Sequence, residues 1–124
     1  VPGVSAVYEL GVTSYSCRIK NQILGVKEET LDAFGAVSEN TAREMAEGVR
    51  QKADSDIGLS VTGVAGPDSS EGHAPGLVFI AAADKGGTRV KKLNIDPINR
   101  ETVRETAVKA VLELLIKTVE EVAK

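Results

Sequence analysis

Aromatic side chains are scarce in this chain of 124 residues: two Tyr, two Phe and no Trp. The core must therefore be built from Val, Leu, Ile and Ala. The scarcity also argues against binding single-stranded nucleic acid by stacking bases on aromatic rings. Cysteine occurs once, as Cys17, which excludes an internal disulfide and a multi-cysteine zinc site. Histidine also occurs once, as His73, so a metal helix of the HExxH kind is absent. Nor is there a surplus of positive charge. Fifteen Lys and Arg against eighteen Asp and Glu give a net charge of −3, so neither nucleic acid nor an anionic membrane is an expected partner. No apolar run approaches the roughly 18 residues of a bilayer span, and no signal-peptide pattern opens the chain. These absences make a cytoplasmic protein the default expectation.

What is present is an ordinary globular composition, 42% hydrophobic and 27% charged, long enough for one domain over residues 1–124. Val7 to Ser14 reads as a strand and Ser16 to Leu24 as a short helix with Ser16 as its cap and Gly25 just past its end. Lys27 to Phe34 is a second helical stretch, stopped by Gly35. Ser38 caps a clearer helix to Ala53, in which Ala42, Met45, Ala46, Val49 and Ala53 recur at helical spacing. Ile57, Leu59 and Val61 alternate with Gly58, Ser60 and Thr62, which predicts a strand. The stretch GVAGPDSSEGHAPG, Gly63 to Gly76, is long enough to be a functional loop.

The run LVFIAAA, Leu77 to Ala83, predicts a central strand covered on both faces. Asp84 to Gly87 is a hairpin turn, and Thr88 to Ile95 returns as a strand whose Lys91 and Lys92 suit a sheet edge. Beyond Pro97, Asn99 caps a long final helix with the stripe Val103, Ala107, Ala110, Val111, Leu114, Leu115, Thr118, Val119 and Val122. Glu105/Lys109 and Glu113/Lys117 are paired on its wet side. The expected fold is a single layered α/β domain with a mixed β-sheet flanked by helices.

Three places can carry chemistry. If Ser16 caps its helix, Lys20 lies on the same face about one turn along. The positive end of the helix dipole disfavours a charge there, and burial acts the same way, so a neutral, basic amine becomes more accessible. The spacing alone favours a solvated surface lysine, and a tyrosine at a strand end, as Tyr15 is, is more often packing than catalysis. Second, Thr62-Gly63-Val64-Ala65-Gly66-Pro67 is a strand end followed by a Gly-containing turn of the sort that brings backbone N–H groups to a ligand. It is neither a Walker A loop nor GxGxxG, and a plain tight turn reads the same. Third, Arg100 and Arg104 place two like charges one turn apart at the start of the last helix, a cost that a nearby anion relieves, although a solvated pair fits as well.

These places together resemble the CinA carboxy-terminal domain family, the competence/damage-inducible proteins or nicotinamide-nucleotide amidohydrolases. The resemblance rests on Tyr15-Ser16-x-x-x-Lys20, Leu24-Gly25-Val26-x-x-Glu29-Thr30-Leu31, Gly35-Ala36-Val37-Ser38-Glu39 and Met45-Ala46-Glu47-Gly48. It continues through Val61-Thr62-Gly63-Val64-Ala65-Gly66-Pro67-Asp68 and Asn99-Arg100-x-x-Val103-Arg104. The resemblance implies hydrolysis of the amide of nicotinamide mononucleotide to nicotinate mononucleotide and ammonia, by a serine nucleophile and a lysine that handles its proton, with no metal or organic cofactor. Lys20 falls on the family's lysine and Tyr15 on its active-site tyrosine. Thr62, Gly63, Ala65 and Gly66 would line the substrate site, and Arg100 would hold the anionic nucleotide.

The family's serine lies in a Glu-Ser-Cys-Thr-Gly-Gly segment after a first strand, ahead of the residue that matches Val1, so the expectation is a domain whose amino-terminal strand and helix are missing. The loop-like opening VPGVSA, without an initiating Met, reads as a processed chain or a piece of a longer one. A non-catalytic nucleotide-binding or assembly module is the alternative. A sheet edge left open by the missing strand predicts a homo-oligomer, dimer or higher, or a partner element covering it.

Overall fold

The structure, a computed structural model, describes residues 25–54, 56–64 and 72–122. Two helices come first, α1 over Glu28–Phe34 and α2 over Glu39–Ala53. Three strands follow, β1 over Gly58–Gly63, β2 over Leu77–Asp84 and β3 over Gly87–Asn94. The last element is a long helix, α3, over Arg100–Val122. The strands lie in the order β1-β2-β3 with both pairings antiparallel. The result is the layered α/β arrangement expected, with helices on both faces of the sheet. Among the described residues the sheet is wholly antiparallel rather than mixed, and the predicted strand at 7–14 and the predicted helix at 16–24 lie outside them.

The local signals account for where these elements stop. Gly35 ends α1 at φ 79, a region that glycine enters without a Cβ penalty. The Ser38 side chain accepts from the Thr41 N–H at 3.0 Å and so caps α2. Asn99 does the same for α3, its Oδ1 accepting from the Thr102 N–H at 2.8 Å. The two-residue turn Lys85-Gly86 closes the hairpin between β2 and β3, with Asp84 facing Gly87 across it.

β2 is buried along nearly its whole length, as a strand covered on both faces must be. Period-two alternation sends Val78, Ile80 and Ala82 to one side, where they pack with Val103, Ala107, Val111 and Leu114 of α3. Ala81 and Ala83 go to the other side, against Ala42 and Ala46 of α2, with Phe79 and Val90 beside them. The expected stripe faces the sheet from Val103 to Leu114, and Thr118 further along it is fully buried, its hydroxyl donating to the Leu114 carbonyl at 2.8 Å. The opposite side of the same helix is less polar than the Glu/Lys pairs suggested: Val108, Leu112 and Ile116 are exposed there.

Candidate functional site

The described part of the predicted site lies at the carboxyl end of β1. Thr62 points to the α2 side of the sheet and is buried. Its hydroxyl donates to the Ala36 carbonyl at 2.7 Å, 26 residues away in the chain. Ala36 belongs to the bend between α1 and α2, which is itself held by Thr41: the Thr41 hydroxyl donates to the Gly35 carbonyl at 2.6 Å. With its proton committed to Ala36, the Thr62 oxygen keeps only acceptor capacity.

Gly63 comes next and has no room for a side chain. A Cβ there would sit 2.6 Å from the Leu77 carbonyl oxygen and 2.7 Å from Val78 Cγ2. The sheet end is then closed by backbone bonds, Val64 N–H to Leu77 O at 2.9 Å, Gly76 N–H to Val64 O at 2.7 Å and Ile95 N–H to Gly76 O at 2.8 Å. These bonds fix the backbone of Val64, where this described stretch ends. A hollow of about 240 Å³ opens beside this ladder, lined by Pro75, Leu77, Lys92, Asn94 and Ile95 among others.

Arg100 is exposed in the first turn of α3. Arg89 of β3, opposite Ala82, bonds to Thr118 and Glu121 near the far end of α3. The start of α3 therefore lies toward the other end of the sheet, the end where Gly63 faces Val78. Arg100 and Thr62 share that end but belong to opposite layers, Arg100 on the α3 side and Thr62 on the α2 side. Tyr15, Lys20, Ala65 and Gly66 lie outside the described residues. Among the described residues no group of three His, Cys, Asp or Glu side chains converges as a metal site would, and no helix is long and apolar enough to cross a membrane.

One contact in this region has no counterpart in the sequence reading. Glu44 of α2 reaches the start of α1, where its Oε1 accepts from the Lys27 N–H at 2.9 Å and its Oε2 from the Thr30 hydroxyl at 2.6 Å. Lys27, the residue at the N-cap of α1, supplies no side-chain cap of its own. Seventeen residues separate Glu44 from Lys27, so no local capping pattern marks the link. α2 is thus bonded at one point to the chain entering α1, while the bend at its own start is bonded to the end of β1.

With this geometry in view, a family model for the CinA C-terminal domain matches residues 1–119. The chain belongs to the CinA C-terminal domain family. It is 51% identical over 109 residues to a competence-damage inducible protein of Acetivibrio thermocellus, covering 87% of this chain and 26% of that protein. A protein of the same description from Streptococcus pneumoniae is 47% identical over 115 residues, which is 93% of this chain and 28% of that one. The chain thus spans about a quarter of the length of the curated relatives it matches. Among solved structures, the competence damage-inducible protein A of Klebsiella pneumoniae superposes with a TM-score of 0.83 at 35% identity, covering 89% of this chain and 68% of that one. A CinA superfamily protein of Enterobacter cloacae gives 0.82 at 37% identity, covering 87% and 64%. These solved CinA superfamily structures share the layered α/β fold of this chain.

Proposed function

We propose that the chain is the bulk of an amidohydrolase domain acting on the carboxamide of nicotinamide mononucleotide. The observation that carries this reading is the end of β1, where Thr62 is tied to Ala36 and Gly63 is pressed against β2, so that the glycine turn starts from a fixed backbone. Family membership supports it. In the reaction, a serine hydroxyl from the family's Glu-Ser-Cys-Thr-Gly-Gly segment attacks the carboxamide carbon while the neutral Lys20 amine takes its proton. The tetrahedral intermediate expels ammonia, protonated by the Lys20 ammonium, and water then hydrolyses the acyl-serine to release nicotinate mononucleotide and free the serine. On this reading the family resemblance gives Tyr15, Thr62, Gly63, Ala65 and Gly66 roles at the substrate, and Arg100, exposed at the same end of the sheet as Thr62 but in the other layer, would meet the nucleotide's negative charge.

The decisive experiment is ammonia release from nicotinamide mononucleotide by the full-length natural protein that carries this domain. Turnover by the wild type and a loss of at least about a thousandfold in Lys20→Ala are expected. Undiminished turnover in Lys20→Ala removes that residue from the mechanism, and no turnover in the wild type removes the reaction.

A second reading, a non-catalytic nucleotide-binding or assembly module, is favoured by Val108, Leu112 and Ile116, which recur every fourth residue and stand 51%, 48% and 59% exposed on α3. On this reading the domain self-associates through α3, binds the nucleotide without turnover, and Leu112→Glu returns it to a monomer. Light scattering that finds a monomer in the wild type ends it.

A further inference from the structure

α2 crosses the sheet obliquely. Its Ala42 carbonyl takes the Ser60 hydroxyl of β1, and further along the helix Glu47 takes the Thr88 hydroxyl of β3. The helix therefore lies over β1 at the Thr62 end and reaches β3 only at the opposite end, beside the hairpin turn. It leaves open the corner where Leu77 faces Asn94 and Phe79 faces Lys92. Alternation along β3 puts Lys92 and Asn94 on the α2 side: Val90 packs with the α2 cluster, whereas Leu93 and Ile95 turn to the α3 cluster. The hollow of about 240 Å³ opens at this corner, and both side chains line it. Its wall at Gly76 is backbone: φ is 97 there, and a Cβ would lie 2.1 Å from the Ile95 carbonyl oxygen.

The chemistry of this corner suits an anion. Lys92 brings the one charge to the lining, with no Asp or Glu beside it, and Asn94 adds an amide donor. Among the described residues the ion pairs are Arg43 with Glu39 and Arg89 with Glu121, and Lys92 is in neither. Pockets that bury a whole small molecule measure roughly 300–1,000 Å³, so this hollow fits one end of a ligand. The other end has a place on the same face. Thr62 faces Phe79 and Phe79 faces Lys92, so Thr62 and Lys92 are two strand spacings apart, about 10 Å. Arg100 stands in the other layer, so of these two cations Lys92 is the one that shares a face with Thr62. We infer that the hollow takes the phosphate group of a nucleotide whose base end lies toward Thr62, with Lys92 as the counter-charge and Asn94 as a hydrogen-bond donor. This inference rests on the substrate proposed above and adds a phosphate subsite to it.

The test uses the full-length natural protein and calorimetric titration with two probes, nicotinate mononucleotide and nicotinate riboside. They differ only by the phosphate, and neither carries the carboxamide that would be hydrolysed. The wild type is expected to bind the mononucleotide at least about tenfold more tightly than the riboside. Lys92→Ala is expected to weaken the mononucleotide about tenfold and the riboside less than about twofold. Lys92→Arg keeps the preference for phosphate, and Asn94→Ala loses about threefold of it. In the ammonia-release assay, Lys92→Ala raises KM about tenfold with kcat within about twofold, as loss of a contact made equally in ground and transition states requires. Both side chains are exposed, so neither variant empties the core.

Equal affinity of the wild type for the two probes overturns the inference. So does a loss in Lys92→Ala that is the same for both. A phosphate preference lost in Arg100→Ala but kept in Lys92→Ala assigns the phosphate to the other layer and overturns it as well. If the wild type releases no ammonia, the proposed reaction falls, and a phosphate preference that disappears with Lys92 still establishes the subsite.

Discussion

The two faces of the sheet are held by different physics. On the α3 side, Val78, Ile80 and Ala82 meet Val103, Ala107, Val111 and Leu114 in a cluster that is apolar throughout. On the α2 side the contact is closer and more polar. The Ser60 hydroxyl donates to the Ala42 carbonyl at 2.6 Å and Thr62 to Ala36 at 2.7 Å. Gly58 lets the helix backbone come so near that a Cβ there would lie 2.2 Å from the Ala46 carbonyl oxygen. A volume-packed face tolerates reshaping that conserves volume. A face built from backbone approach and directed hydrogen bonds specifies one geometry, and that face carries the Thr62 end of the candidate site.

The largest effect that would break this contrast is expected at Gly58. Gly58→Val drives methyl groups into the backbone of α2, which cannot give as a flexible side chain can, and is expected to cost more than about 3 kcal/mol, enough to abolish cooperative thermal unfolding. A stable, well-folded Gly58→Val protein would mean that α2 is not seated as closely as described. On the other face, Ile80→Ala empties a fully buried site and is expected to cost about 3 kcal/mol. Leu114→Met, in the same cluster, keeps its volume and is expected to cost about 1 kcal/mol, read as a shift in the urea midpoint.

The α2 face is also where the sequence was least legible. The helix boundaries were readable because their signals are local: Gly35, Ser38 and Asn99 each act within four residues. The central strand was readable from the run LVFIAAA, and the α3 stripe from its spacing. The alternation in β1 gave a strand but not its orientation. Val61 ends 39% exposed while the polar Ser60 and Thr62 are buried, because backbone carbonyls 18 and 26 residues away accept their protons. The Glu44 link spans a similar distance. Hydrogen bonds between remote segments leave no periodic trace, so a single sequence cannot announce them. Thr62 was singled out as a candidate site residue by family resemblance, whereas its bond to Ala36 was visible only in three dimensions.

That bond gives a sharper test of the polar face. Thr62→Val keeps the shape and removes the hydroxyl, and is expected to cost about 1.5 kcal/mol, or roughly 6 °C in Tm for a domain of this size. Ser60→Ala is expected to cost about 1 kcal/mol, since the Ala42 carbonyl lies within α2 and keeps its helical partner. If Thr62→Val matched Ile80→Ala in cost, the polar face would be carrying as much stability as the apolar one, and the contrast would be one of chemistry only.

The smallest effect lies where β3 is tied to α3 across the sheet edge. Arg89 donates to the Thr118 hydroxyl at 3.2 Å and pairs with the carboxylate of Glu121. The guanidinium and the carboxylate are 37% and 53% exposed, so water and salt screen their attraction. Glu121→Gln is expected to cost about 0.5 kcal/mol at low salt and less at 1 M salt. Arg89→Ala is expected to cost somewhat more, because it also takes a donor from the fully buried Thr118 and the apolar stem of the arginine from the sheet edge. A double-mutant cycle separates the two contributions: a coupling between Arg89 and Glu121 near 0.5 kcal/mol that vanishes with salt assigns the remainder to Thr118 and the stem. A salt-insensitive coupling above about 2 kcal/mol would instead make this corner a desolvated clamp, and the α3 face would then be held by more than volume.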